Sequence, residues 1–110
     1  MIVAFSVAPS GPRPDGAADS SGPDDSGSVS DAVAEAVRVV RASGLPHETS
    51  SMFTSLEGEW DEVMDVVRRA TEAVGRYGSR VSLVLKADIR PGWTGQMEAK
   101  VARVEEHLKD

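Results

Sequence analysis

Across Thr54-Ser-Leu-Glu-Gly-Glu-Trp-Asp-Glu-Val63 the apolar spacing changes from every second residue to every third or fourth, and the change falls at Glu57-Gly58. A strand that hands over directly to an amphipathic helix fixes one strand-to-helix junction in mid-chain and restricts what can flank it. The same junction sets hydroxyls and carboxylates at a strand end, where a small polar ligand can be held.

The flanking segments have equally readable periods. Ile2 to Ala8 alternates but is apolar on both sides, with Ile2, Ala4, Ser6 and Ala8 opposite Met1, Val3, Phe5 and Val7, so this strand needs cover on both faces. From Val29 to Ser43 a helix is predicted, with Val29, Val33, Ala36, Val37 and Val40 on one stripe, Ser28 as its cap and Gly44 as its stop. Leu45 to Ser50 and Phe53 to Glu57 read as a hairpin around Ser50-Ser51-Met52. Its second strand puts Met52, Thr54 and Leu56 on one face and Phe53, Ser55 and Glu57 on the other. The next helix is expected over Trp60 to Tyr77, with Trp60 as an anchor, Gly75 weakening its last turn and Gly78 stopping it. Arg80 to Asp88 alternates as a fourth strand. After Pro91-Gly92, Thr94 can cap a third helix whose narrow stripe is Met97, Val101, Val104 and Leu108.

Strand, helix, strand, strand, helix, strand and a further helix is the order of an α+β fold, the ferredoxin-like βαββαβ sandwich with an additional C-terminal helix. Right-handed crossovers lay two helices on one sheet face and leave the other bare. Apolar residues of the first and last strands on that bare face predict self-association through sheet faces into a dimer or tetramer, with the third helix packing on a neighbour.

Composition narrows the function. A chain of 110 residues suits one domain with one core. Without cysteine there are no disulfides, thiolate metal sites or cysteine nucleophiles, and a cytoplasmic location is expected. The apolar start lacks a basic leader and a long apolar run, which argues against a signal peptide or membrane span. A net charge of -6 disfavours nucleic acid as a partner, although Pro9 to Ser28 alone contributes -3 of it, with four Asp against one Arg. Four Pro, four Gly and five Ser in that twenty-residue stretch predict a flexible acidic loop. His47 and His107 have no metal-ligand partners at suitable spacing, and no nucleophile and base can be paired, so neither a metal site nor catalysis is expected.

The chain resembles the thiamine-binding, YkoF-like family of small cytoplasmic proteins. The resemblance is carried by Met1-Ile-Val-Ala-Phe-Ser-Val-Ala-Pro9, Ser28-Val-Ser-Asp-Ala-Val-Ala-Glu-Ala-Val37, Ser43-Gly-Leu45, Met52-Phe-Thr54, Glu57-Gly-Glu-Trp-Asp-Glu-Val-Met64 and Met97-Glu-Ala-Lys-Val101. It implies a ferredoxin-like fold, an oligomer built through the sheets, and binding of thiamine or its hydroxymethylpyrimidine part without a known reaction. Two departures stand out: sequences of this type carry a small or amide-bearing residue in place of Phe53, and a short turn in place of the acidic loop.

An aminopyrimidine both accepts and donates hydrogen bonds, so its pocket needs hydroxyls, backbone groups and a carboxylate in a mostly apolar slot. Thr54 and Ser55 fit the hydroxyl role, with Ser6 and Asp88 expected to converge on them from neighbouring strands. Asp88 or Glu57 suits a thiazolium cation, and Phe53, Met52 or Trp93 can supply a stacking wall. Structural readings compete at the same positions: Thr54 and Ser55 as ordinary strand residues, Glu57-Gly58-Glu59 as a turn placing acids at a helix N-terminus, and Met52, Met64 and Met97 as core fillers. A structural or regulatory homo-oligomer without a ligand, and an enzyme on the same fold, remain the alternatives.

Overall fold

In the computed structural model, which describes residues 1 to 13 and 28 to 109, the first alternating segment forms β1 (Ile2–Ser10). α1 (Ser28–Ala42), β2 (His47–Thr49), β3 (Thr54–Glu57), α2 (Trp60–Val74), β4 (Arg80–Asp88) and α3 (Gln96–His107) follow. The sheet is antiparallel in the order β2-β3-β1-β4, with α1 and α2 packed together and against β1. This is the expected ferredoxin-like sandwich, with α3 added.

Register assigns the faces. Val3 pairs with Leu56 and Phe5 with Thr54, and this set faces the helices: Val3 and Leu56 are fully buried and Phe5 nearly so. Ile2 pairs with Glu57 and Asp88, and Ala4 with Ser55 and Lys86, which puts these residues on the opposite, open face. Both strand segments of the hairpin are shorter than expected, and Phe53 lies in the loop rather than in β3. The Ser50 N–H donates to the Phe53 carbonyl at 2.8 Å, and the Ser50 hydroxyl bonds to both the N–H and the carbonyl of Phe53, which closes the turn around Ser51 and Met52.

β1 also runs past the expected loop start at Pro9. Pro9 and Ser10 pair with Val81 and Arg80 of β4, whereas β3 accompanies β1 only as far as Phe5. With no strand on that side among the described residues, the missing proline N–H costs no ladder bond there. The remainder of the expected acidic loop, residues 14 to 27, and the Ser28 and Val29 side chains lie outside the described residues.

Three helix expectations need correction. α1 buries Ala32, Ala36 and Val40, while Val33 is 40% exposed, so the helix is rotated from the valine-weighted stripe. Alanine contributes little to a hydrophobic pattern, yet its small side chain is what allows α1 to lie close against α2 and the sheet. α2 buries Val63, Val66, Val67, Ala70 and Val74, but Trp60 at its first residue is 55% exposed and anchors nothing in the core. It stops at Val74, not Tyr77. Gly75 donates to the Thr71 and Glu72 carbonyls at 3.0 and 3.1 Å as the cap, and Tyr77 reaches the core edge from the turn that follows. Gly44 ends the connection after α1 with φ +78, as expected of a left-handed stop. Among the described residues no helix is long and apolar enough to cross a membrane.

Candidate functional site

β3 begins at Thr54, opposite Phe5, and beyond that point β1 is paired with β4 only, a mismatch that makes a notch. It is bounded by Phe5, Ser6 and Val7 of β1, Val33, Ala36 and Val37 of α1, and the hairpin tip from Thr49 through Thr54, and encloses about 150 Å³. Three of the expected site residues, Ser6, Phe53 and Thr54, therefore line it, although alternation with Phe5 and Val7 turns the Ser6 side chain to the open face and leaves only its backbone beside the notch. Thr54 is 9% exposed and its hydroxyl bonds to nothing among the described residues. The hydroxyl is not among the buried polar atoms left without a partner, so it is open to the notch and free to bond a ligand atom there. Among the described residues no charged side chain lines the notch.

The other expected residues lie elsewhere. Ser55 is on the open face between Ala4 and Glu48, on the opposite side of β3 from Thr54. Asp88 and Glu57 both pair with Ile2 at the far end of the sheet. Ser6 stands four residues from Ile2, roughly 13 Å at strand rise, so Ser6 and Asp88 do not converge. Strict alternation accounts for the split between Thr54 and Ser55, and antiparallel register for the distance to Asp88.

Glu57 is occupied. Its carboxylate, 6% exposed, accepts the Gln96 N–H at 2.8 Å and the Met97 N–H at 3.2 Å, so it caps α3 from across the chain. The expected cap at Thr94 is displaced: Gly95, at φ 66, takes the N-cap position without a side chain to offer. Beside it Asp88 pairs with Lys100, and the Arg90 guanidinium stacks on the Trp93 ring at 3.4 Å. The Lys100 ammonium, first through its hydrogen bond and then through its charge, holds the Asp88 carboxyl below the ordinary carboxylate range. Trp93 is thus engaged by an arginine, far from the notch, and Met52 at the hairpin tip is 73% exposed and no core filler.

A wider groove of about 540 Å³ runs between α3 and the β2 edge, lined by Pro46, His47, Glu48, Glu57, Gly95, Met97, Glu98, Val101 and Ala102. Its one deeply buried polar side chain is the already bonded Glu57. Among the described residues no cluster of His, Asp or Glu is arranged to hold a metal ion. Sequence reasoning missed the α1 wall of the notch, Val33, Ala36 and Val37. The signal was present in the excess of apolar residues on α1, more than one face can bury.

Comparison with known proteins places this geometry in context. Residues 21–105 match the model of a family described as thiamine-binding protein. A UPF0045 protein of Mycobacterium bovis is 49% identical over 109 residues, covering 98% of this chain and 94% of its own. Among solved structures, a DUF77 domain of unknown function from Bacillus cereus superposes with TM-score 0.74 at 29% identity, covering 98% of this chain and 92% of that one. A Thermotoga maritima protein proposed to act in thiamine biosynthesis or salvage superposes with TM-score 0.71 at 22% identity over 94% and 96% of the two chains, a likeness of fold.

Proposed function

Because the chain belongs to the thiamine-binding protein family, we propose that it is a non-catalytic binding protein whose notch receives a small heteroaromatic ligand, thiamine or its hydroxymethylpyrimidine part. The observation that carries this reading is Thr54, a mostly buried residue lining a small cavity between aromatic and aliphatic walls, whose solvent-accessible hydroxyl makes no hydrogen bond among the described residues. A pyrimidine nitrogen or amino group completes that hydroxyl's hydrogen bonding, while Phe5, Phe53, Val33 and Val37 supply apolar surface for the ring. The α3 groove is larger, but its buried carboxylate already has two donors, which leaves it less to offer a ligand.

Self-association belongs to the same reading. α3 displays Val101, Val104 and Leu108 at 56, 58 and 70% exposure, and the open sheet face carries Ile2, Ala4, Ala8 and the half-exposed Val84. A second copy covering these surfaces gives a dimer or tetramer of a cytoplasmic protein.

Calorimetry on the purified protein with thiamine and with hydroxymethylpyrimidine tests the ligand. Saturable heat with a matching rise in melting temperature is expected for at least one of them. No heat and no thermal shift at millimolar ligand would overturn the reading, and sedimentation showing a monomer at micromolar protein would remove the oligomer from it.

A further inference from the structure

The Val33 and Val37 side of the notch is shared with a second hollow. This one, of about 490 Å³, lies along the outer surface of α1 and is lined by Ser30, Val33, Ala34, Val37, Arg38 and Arg41. Among the described residues its lining holds two guanidinium groups and no carboxylate, in a chain whose formal net charge is -6. Arg38 pairs with Glu35, which also lies 3.7 Å from Arg76, so part of its charge is already balanced. Arg41, exposed in the last helical turn, makes no ion pair among the described residues. A cation in the last turn complements the helix dipole, which accounts for the favourable placement of Arg41. It does not account for an apolar ridge at Val33 and Val37 leading from an uncharged cavity to two arginines.

We propose that the notch and this hollow form one extended site, and that its ligand is a phosphate ester carried on the ring-bearing molecule. The inference rests on the ring reading given above. The ring seats in the notch beside Thr54, the middle of the ligand lies along Val33 and Val37, and the phosphate meets Arg41 and Arg38. From Val33 to Arg41 is eight residues, roughly 12 Å along the helix, a span that suits a phosphate at the far end of a ring-and-linker molecule. Arginine suits the end group because its planar fork of donors matches phosphate oxygens in pairs. Glu35 competes for Arg38, so Arg41 provides the larger share of the attraction.

Thiamine and thiamine monophosphate are compared by calorimetry on the wild-type protein, on Arg38→Gln, on Arg41→Gln and on the double variant, at low and at physiological salt. The ratio of the two affinities within each protein is the quantity read, so partial loss of folding cannot mimic the result. The phosphate is expected to tighten binding to the wild type about tenfold, the gain shrinking with salt and more in Arg41→Gln than in Arg38→Gln, and falling below about twofold in the double variant. Equal affinities in the wild type, or a gain that survives the double variant, overturns the extended site. If thiamine binds and the phosphate adds nothing, only the extension fails. If neither ligand binds, the ring site fails with it.

Discussion

Glu57 ends β3 and also closes the first turn of α3, through a 2.8 Å hydrogen bond from the backbone N–H of Gln96, 39 positions along the chain. The carboxylate does for α3 what a capping side chain does locally, because Gly95 has none and the first N–H groups of any helix lack intrahelical partners. A negative charge there also meets the positive end of the helix dipole. One residue therefore ties the position of α3 to the strand that carries Thr54, three residues away.

Replacing Glu57 by Ala leaves a buried and a part-buried N–H group unpaired and should cost about 2 kcal/mol. Glu57→Gln keeps an acceptor oxygen but loses the charge, and should cost less. Urea denaturation followed by circular dichroism measures both; equal stability of Glu57→Ala and wild type would mean that α3 holds its place by other contacts.

Thr54→Val removes a hydroxyl that bonds to nothing among the described residues while keeping the side-chain shape. Stability should therefore stay within about 0.5 kcal/mol of the wild type, because no intramolecular hydrogen bond is lost and the side-chain shape is kept. Ligand affinity should fall about tenfold, the worth of one buried hydrogen bond. Melting curves and calorimetry separate the two effects, and a variant that melts several degrees earlier would show that the hydroxyl has a structural partner instead.

The rotation of α1 predicts unequal costs for two valines seven residues apart. Val40 is fully buried and Val33 is 40% exposed. Val40→Ala should cost about 2 kcal/mol through lost burial and the cavity left behind, and Val33→Ala no more than about 0.5 kcal/mol. Comparable losses at the two positions would contradict the observed helix face.

Most of the fold was legible because its strands and helices carry their periods openly: β1 and β4 alternate, and α2 repeats Val63, Val67, Ala70 and Val74 at helical steps. Local rules were less informative where tertiary packing decides. Nothing local distinguishes Ala32 from Val33 as the inward residue of α1, and Thr94 is a favoured cap residue by type, whereas Glu57 supplies the cap from a distance. The candidate site was half legible for the same reason. Residue chemistry pointed to Thr54 and Phe53, which do share a cavity, whereas separating Ser6, Ser55 and Asp88 from them required register and strand length. Gly78 illustrates a third kind of loss. Read as a helix stop, it sits instead where an added Cβ would stand 2.5 Å from the Ser10 carbonyl oxygen, a constraint visible only once β1 is known to reach that far.

The pairing of Asp88 with Lys100 sets a pH dependence whose sign follows from the depressed carboxyl. Lys100 is the leading cause, through its hydrogen bond and then its charge, with Arg90 and Lys86 adding to it. A carboxyl that ionises more readily in the folded protein than in the unfolded chain contributes stability at neutral pH. That contribution begins to shrink as pH falls into the ordinary carboxylate range and is gone once pH has passed below the depressed value. Both side chains are exposed, so the effect is screened by salt. Lys100→Met removes the leading cause, and the Asp88 titration midpoint should rise toward the ordinary carboxylate range, read from the side-chain carboxyl carbon by NMR. The variant should also lose less stability than the wild type between neutral and acid pH. An unchanged Asp88 midpoint would show that Arg90 and Lys86 suffice, and that α3 is tied to β4 through this pair only weakly.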